Sequence, residues 1–96
     1  MSEFVQIMRF KTDLDLDKLK EMNDSYRKSV EGRATYISDM FGRDLDTGEY
    51  VVVVTFPSKE AADTNNDLPE TAANAEEMGK MVTGLSFSNI EVIERS

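Results

Sequence analysis

The amino-acid sequence predicts an α+β fold in which one four-stranded antiparallel sheet carries its helices on a single face. The first reason is the order of the predicted elements, which runs strand, helix, strand, strand, helix, strand. The second is the segment from Tyr50 to Phe56, which holds four consecutive valines between Gly48 and Pro57. A β-branched run of this length without a polar face is typical of a strand buried on both sides. The other segments must therefore cover both faces of this strand.

The composition limits the classes of function. A chain of 96 residues has the length of one domain, so we expect a single domain over residues 1–96. Its net charge of −8 disfavours nucleic acid and anionic membranes as partners, because both are themselves negative. The sequence has neither cysteine nor histidine, which excludes thiolate zinc sites and removes the commonest general base and metal ligand. With no membrane-spanning run and no signal-peptide pattern, we expect a cytoplasmic protein. Because the sequence has no histidine or cysteine to ligate a haem iron, we also expect no cofactor.

The first two elements are a strand and a one-sided helix. Residues from Glu3 to Lys11 alternate loosely, and their first half is apolar on both faces, which suits a second central strand beside the valine run. A helix is predicted from about Asp17 to Val30, because apolar residues recur there at three- and four-residue steps. This stripe consists of Leu16, Leu19, Met22, Tyr26 and Val30.

A hairpin follows. The segment from Arg33 to Arg43 is predicted to be a strand, with Tyr36, Ser38 and Met40 on one face and Asp39 and Phe41 on the other. The residues from Leu45 to Gly48 supply a turn, after which the chain returns along the valine run.

The second crossover is predicted to be a bent or two-part helix. Ser58 is placed to cap its first part, and the sequence Asn65-Asn66-Asp67 interrupts it. The helix restarts at Pro69 with Asp67 as the expected cap, carries an apolar stripe through Met78, and ends at Gly84. A last strand from Leu85 to Glu94 carries charged residues that suit a sheet edge.

This order of elements is the split βαββαβ arrangement of the ferredoxin-like fold. Two right-handed crossovers place the first and third strands in the centre, and these are the two segments that are apolar on both sides. Helices cover only one sheet face in such a fold. The other face would leave half of the valine run in water, so we expect a homodimer through this face.

The chain resembles the dimeric α+β barrel superfamily, which includes antibiotic-biosynthesis-type monooxygenases and stress-responsive barrel proteins. The resemblance rests on four segments that span nearly the whole chain. They are Phe4 to Phe10, Tyr50 to Ala62, Leu68 to Thr71 and Glu91 to Glu94. It implies two sheets that face each other in a homodimer, and a pocket in each subunit between its helices and its own sheet. Family enzymes often carry tryptophan, histidine and asparagine near that pocket, whereas this sequence has no tryptophan and no histidine.

The candidate ligand-pocket residues combine methionines, aromatic residues and amides. They are Gln6, Met22, Tyr26, Tyr36, Asn66 and Met78. Methionine and aromatic side chains can form an adaptable pocket for a flat or apolar ligand, although methionine also fills irregular gaps in cores. Two functions therefore stay open. One is a homodimer that binds a small apolar or aromatic molecule, with cofactor-free monooxygenation as its chemistry; the other is a non-catalytic structural or regulatory module. Haem is disfavoured in both, since only tyrosine or methionine could ligate its iron.

Two short motifs are better explained by local structure. Asp13, Asp15 and Asp17 have the spacing of a calcium loop, but the glycine and glutamate that complete such a loop are missing. The triplet Asp46-Thr47-Gly48 matches that of aspartic proteases, yet it lies in a predicted hairpin turn. We therefore predict no metal site, and we leave the catalytic residues unassigned.

Overall fold

The computed structural model describes residues 2–96, which form four strands and three helices. The elements are β1 (Phe4–Lys11), α1 (Leu16–Ser29), β2 (Ser38–Arg43), β3 (Tyr50–Phe56), α2 (Lys59–Asn66), α3 (Pro69–Met81) and β4 (Thr83–Glu91). The strands form one antiparallel sheet in the order β2-β3-β1-β4, with the valine run in β3. The predicted ferredoxin-like fold, with the first and third strands central, is confirmed. None of the helices within residues 2–96 has the length and apolar character needed to cross a membrane.

The sheet has two different faces, because successive side chains of a strand point to opposite sides. The inner face lies under the helices and includes Phe10 and Phe56, which are almost completely buried. Phe10 packs with Leu19 of α1 and Met78 of α3 in the core cluster. The outer face has no helix over it. One of its rows runs across all four strands through Met40, Val53, Ile7 and Ser88.

Helix caps explain where α1 and α2 begin. The side chain of Asp15 accepts a hydrogen bond from the Lys18 N–H at 2.8 Å, and that of Ser58 accepts one from the Ala61 N–H at 3.1 Å. Each cap satisfies a donor that the first helical turn would otherwise leave unpaired. The predicted two-part crossover is confirmed, but the predicted cap of its second part is wrong. Asp67 ends α2, and Leu68 occupies the cap position of α3 without a side-chain bond, followed by Pro69.

The predicted strand from Arg33 to Arg43 is wrong in its first half, since β2 begins only at Ser38. Gly32 adopts a φ of +83°, and the N–H of Ala34 returns to the carbonyl of Val30 at 2.9 Å. The backbone N–H of Thr35 then donates to Asn65 of α2 rather than to a neighbouring strand. Residues 31–37 therefore serve as a connection that ties the end of α1 to α2.

The last strand differs from its prediction at both ends. α3 stops at Met81 and the chain becomes extended at Val82, so Gly84 lies inside β4 rather than at the helix end. A register shift between Arg9 and Lys11 accommodates this early start. As predicted, β4 is an edge strand, and all its residues are exposed.

Candidate functional site

A cavity of about 280 Å³ lies between the helices and the inner face of the sheet. Four strands form its floor and three helices form its roof. The floor residues are Gln6, Met8, Asp39, Phe41, Val52, Val54, Phe56, Leu85 and Phe87. The roof and side residues are Asn23, Tyr26, Arg27, Tyr36, Asn65, Asn66, Thr71, Asn74, Ala75 and Met78. The floor is mostly apolar and the roof mostly polar, so a bound molecule would meet two chemically different surfaces.

Strand pairing organises the floor into two rows. The first row crosses the sheet through Phe41, Val52, Met8 and Phe87, and is entirely apolar. The second row crosses through Asp39, Val54, Gln6 and Asn89, and is polar at three of its four positions. The Gln6 amide donates to Asn89 at 3.2 Å within this row. The apolar row provides a flat contact surface for an aromatic ring system.

The Tyr26 hydroxyl connects the three roof helices. It lies 2.7 Å from the Thr71 hydroxyl of α3, and the amide nitrogen of Asn65 in α2 lies 3.5 Å from it. Asn65 is 5% exposed, so this polar group is held within the packed part of the roof. The arrangement follows from the helix break, because α2 ends beside Asn65 and α3 begins just before Thr71.

An ion pair closes the cavity on the β2 side. Nε and one terminal nitrogen of Arg27 each donate to Asp39 at 3.0 Å, and the other terminal nitrogen donates to Asp24 at 3.2 Å. The hydrogen bond to Asp39 raises the pKa of Arg27 above its ordinary value, against the opposing effect of burial. Both charges are therefore fixed, and the pair presents little net charge to the cavity.

Tyr36 enters the cavity from the connection between α1 and β2. Burial, with a smaller contribution from the Asp39 carboxylate, raises the pKa of Tyr36 above that of a free tyrosine. Its phenol therefore stays protonated at neutral pH and can donate a hydrogen bond.

Five of the six sequence-predicted pocket residues line this cavity, namely Gln6, Tyr26, Tyr36, Asn66 and Met78. Met22 does not. It lies one turn before Tyr26, where it packs against the core cluster and lines an outer groove between α1 and α3.

Sequence reasoning missed Arg27 and Asp39 as cavity residues. Asp39 is predicted to lie on the same strand face as Phe41, and an acidic residue on the face of that aromatic side chain is the available signal. Arg27 gave none, because a charged residue beside an apolar helix stripe is usually solvated.

The cavity opens toward the sheet edge formed by β4. Four of its lining residues are exposed, namely Asn66, Ala75, Leu85 and Phe87. Phe87 is 56% exposed although it belongs to the inner face of the sheet. These residues come from β4 and from the end of α2 and the middle of α3, so the mouth lies between the edge strand and the roof.

The described residues contain no group of three or more acidic side chains placed to hold a metal ion. The cavity instead offers hydroxyl and amide groups that can bind and orient oxygen atoms of an organic molecule.

No protein-family profile matches the chain, and no curated protein sequence matches it. Solved structures do match. Rv0793 from Mycobacterium tuberculosis is 18% identical with a TM-score of 0.80, and the match covers 99% of both chains. A variant of SnoaB, a cofactor-independent oxygenase from Streptomyces nogalater, is 11% identical with a TM-score of 0.82, covering 99% of this chain and 97% of that one. A hydroxynitrile lyase from Passiflora edulis is 17% identical with a TM-score of 0.75, covering 100% of this chain and 99% of that one.

Two further matching structures, from Thermobifida fusca and Bacteroides fragilis, are described as dimeric proteins with a ferredoxin-like fold and unknown function. The proteins that share this fold thus include an oxygenase, a lyase and proteins without a stated activity. At these identities the likeness establishes the fold and leaves the chemistry open. The chain has the fold of the ferredoxin-like dimeric barrel proteins of the antibiotic-biosynthesis monooxygenase type.

Proposed function

We propose that the cavity binds a planar aromatic molecule and that the protein oxygenates it without a cofactor. The observation that carries this proposal is the contrast between the flat apolar row on the floor and the hydroxyl and amide groups of the roof. A ring system can lie on Met8 and Val52 while its oxygen substituents face Tyr26 and Tyr36. The volume of about 280 Å³ lies at the small end of the range for ligand pockets, which favours two or three fused rings over larger molecules.

The reaction requires no redox group from the protein. An electron-rich substrate such as an anthrone supplies the electrons itself: one methylene group and one O₂ give one carbonyl group and one water. The contribution of the chain is to hold the substrate, to exclude water and to donate hydrogen bonds to the oxyanion that forms. Tyr36 suits the last role, because it lines the cavity with a phenol that is neutral at pH 7 and can donate a hydrogen bond. The shared fold with the oxygenase SnoaB is consistent with this chemistry.

A second candidate is a binding protein without catalysis, and the ion pair favours it. Asp39 is the one carboxylate among the lining residues, and Arg27 holds it through two hydrogen bonds. Both oxygens of Asp39 already accept a hydrogen bond from Arg27, which leaves this carboxylate less available to take a proton from a substrate. Substrates that do not lose a proton readily would then be bound but not oxidised.

The functional unit that we propose is a homodimer formed through the outer face. On this face, Met40 is 55% and Ile90 is 40% exposed to solvent, and Ile7 and Val53 beside them are half-buried. A contiguous apolar surface on a central sheet usually marks an interface, and a symmetric dimer covers both copies at once. The dimeric descriptions of two proteins with this fold support the same assembly.

Binding and oxygen uptake can be tested together. Thermal-shift titration with anthrone, fluorene and a fatty acid should show stabilisation by the two ring compounds, by about 2.7 kcal/mol at a hundred times the dissociation constant. Oxygen consumption with anthrone would support the oxygenase. Binding without oxygen uptake would favour the second candidate, and no shift with either ring compound would overturn both.

A matched pair of variants locates the binding. Ala75→Phe would place a ring at the exposed mouth and should abolish the shift, since Ala75 lines the cavity. Ala72→Phe changes another exposed alanine of α3 that lies outside the cavity, and should leave the shift intact. Equal effects of the two variants would place the ligand elsewhere.

A further inference from the structure

Tyr26 is the point at which the three roof helices meet over the cavity. Its hydroxyl comes from α1 and contacts Thr71 of α3 and Asn65 of α2. The directions of these hydrogen bonds decide what the Tyr26 proton can do.

The orientation of the Asn65 amide is set by a backbone group. The N–H of Thr35 lies 3.4 Å from the amide oxygen of Asn65, and a backbone N–H can only donate. The hydroxyl of Thr35 holds this backbone in place by donating to the carbonyl of Ala61. The oxygen of Asn65 must therefore face Thr35, and its NH₂ group faces Tyr26.

The Tyr26 oxygen is consequently an acceptor toward Asn65, across 3.5 Å. Its proton has two possible destinations, the Thr71 oxygen at 2.7 Å or a group inside the cavity that Tyr26 lines. The Thr71 hydroxyl can rotate and become the donor to Tyr26. When it does, both partners donate to Tyr26, and the Tyr26 proton is directed to a ligand.

The strongest cationic donor of the cavity is occupied. Arg27 uses Nε and one terminal nitrogen on Asp39 and the other terminal nitrogen on Asp24. Three of its five N–H groups are used in this way, and the two carboxylates already balance its charge, so Arg27 is a less available donor than a free guanidinium group. The Tyr26 proton can be released to a ligand, because its alternative acceptor, the Thr71 hydroxyl, can reverse its own role.

We propose that Tyr26 donates a hydrogen bond to an acceptor oxygen of the ligand, and that Asn65 is the positioning residue that keeps this proton available. The cavity then distinguishes a ring system with a carbonyl oxygen from the hydrocarbon of the same shape. This inference rests on the proposed binding of a planar aromatic molecule. It adds the chemical group that the site recognises.

The test compares fluorenone with fluorene, two planar three-ring molecules that differ by one carbonyl oxygen. The wild-type protein should bind fluorenone more tightly. Tyr26→Phe should weaken fluorenone binding by about fivefold, the usual effect of one hydrogen bond, and should leave fluorene binding unchanged. The carbonyl stretching frequency of bound fluorenone should be lowered in the wild-type protein and should return toward its value in apolar solvent in the variant.

Asn65→Asp tests the positioning role by reversing one hydrogen bond. The carboxylate oxygen that replaces the NH₂ group accepts a hydrogen bond from the Tyr26 hydroxyl, which is then no longer available to the ligand. This variant should therefore lose the preference for fluorenone, as Tyr26→Phe does. Thr64→Asp is the matched control, since it adds the same charge at the other neighbouring position of α2, which is exposed and lies outside the cavity. It should keep the preference for fluorenone and the lowered carbonyl frequency.

The outcomes separate this inference from the proposed function. If neither ring compound binds the wild-type protein, the binding proposal fails. If both bind and Tyr26→Phe affects them equally, the binding proposal stands and the role of Tyr26 is refuted. A lowered carbonyl frequency that survives Tyr26→Phe would assign the donor to another residue.

Discussion

The two faces of the sheet are made from alternate residues of the same strands, and both are rich in apolar side chains. On the inner face, Phe10 and Phe56 are each 1% exposed because helices and neighbouring strands cover them. On the outer face, Met40 in the row of Val53 is 55% exposed. The difference lies in what covers each face rather than in its composition. A single chain thus covers one apolar face of its sheet and leaves the other exposed, and the homodimer proposed above would cover that second face.

The largest expected effect is on the outer face. Val53→Asp should abolish the dimer or the folded protein, since a carboxylate buried without a partner costs about 3 kcal/mol or more. Sedimentation and thermal unfolding measure this effect. Thr64→Asp adds the same charge on an exposed position of α2 and should behave like the wild-type protein. A Val53→Asp protein with wild-type melting and mass would refute the interface on this face.

A smaller effect distinguishes the two faces at neighbouring positions of β3. Val52→Ala, on the cavity floor, should destabilise the protein by about 1 kcal/mol at every protein concentration. Val53→Ala should cost a similar amount, but its melting temperature should depend on protein concentration more steeply than that of the wild-type protein, because it weakens the proposed dimer. Identical concentration dependence in both variants would mean that the faces do not differ in this way.

The smallest effect concerns the helical layer that covers the inner face. Arg33, in the connection after α1, bonds Glu70 of α3 at 2.8 Å. This hydrogen bond, with one from the backbone of Glu70 itself, lowers the pKa of Glu70. A carboxylate with a lowered pKa in the folded state stabilises the protein above its unfolded pKa of about 4.3, and this contribution is lost as the pH falls through the folded value.

Arg33→Gln should therefore raise the pKa of Glu70 in an NMR titration and reduce the loss of stability below pH 4.3 or thereabouts. Lys59→Gln is the control, since it removes an exposed ion pair within α2 that does not involve Glu70. An unchanged Glu70 titration in Arg33→Gln would show that the backbone hydrogen bond alone sets this pKa.

The sequence predicted the parts of the fold that repeat a simple pattern. The valine run, helix α1 and the break before Pro69 are predicted correctly, because each depends on local spacing. The first half of the predicted second strand is wrong, because the N–H groups of Ala34 and Thr35 bond Val30 and Asn65, and only at Ile37 does the backbone bond β3, through the Thr55 carbonyl. Thr35 bonds Asn65, thirty positions away, and no local pattern contains that contact.

The candidate site was predicted in part for the same reason. Tyr26 and Met78 belong to helix stripes and could be placed facing the sheet. The pair of Arg27 and Asp39 depends on the path of residues 31–37, which brings the start of β2 against α1. Side chains that meet through an irregular connection are visible only once that connection is known.

The valine run has a further consequence for how the sheet is aligned. A register shift of β3 by one residue would turn each side chain to the opposite face of the sheet. In the valine run, however, such a shift replaces one valine by another, so the packing in the middle of the strand would hardly change. The information that fixes alignment must therefore come from the ends of the strand. The ring centroid of Tyr50 lies 5.5 Å from that of Phe41, on which it stacks, and 5.7 Å from that of Phe10. Phe56 is buried at the other end of the strand. The central valines stabilise the sheet without fixing the register of β3. Tyr50 and Phe56 determine which face of the strand points toward the helices.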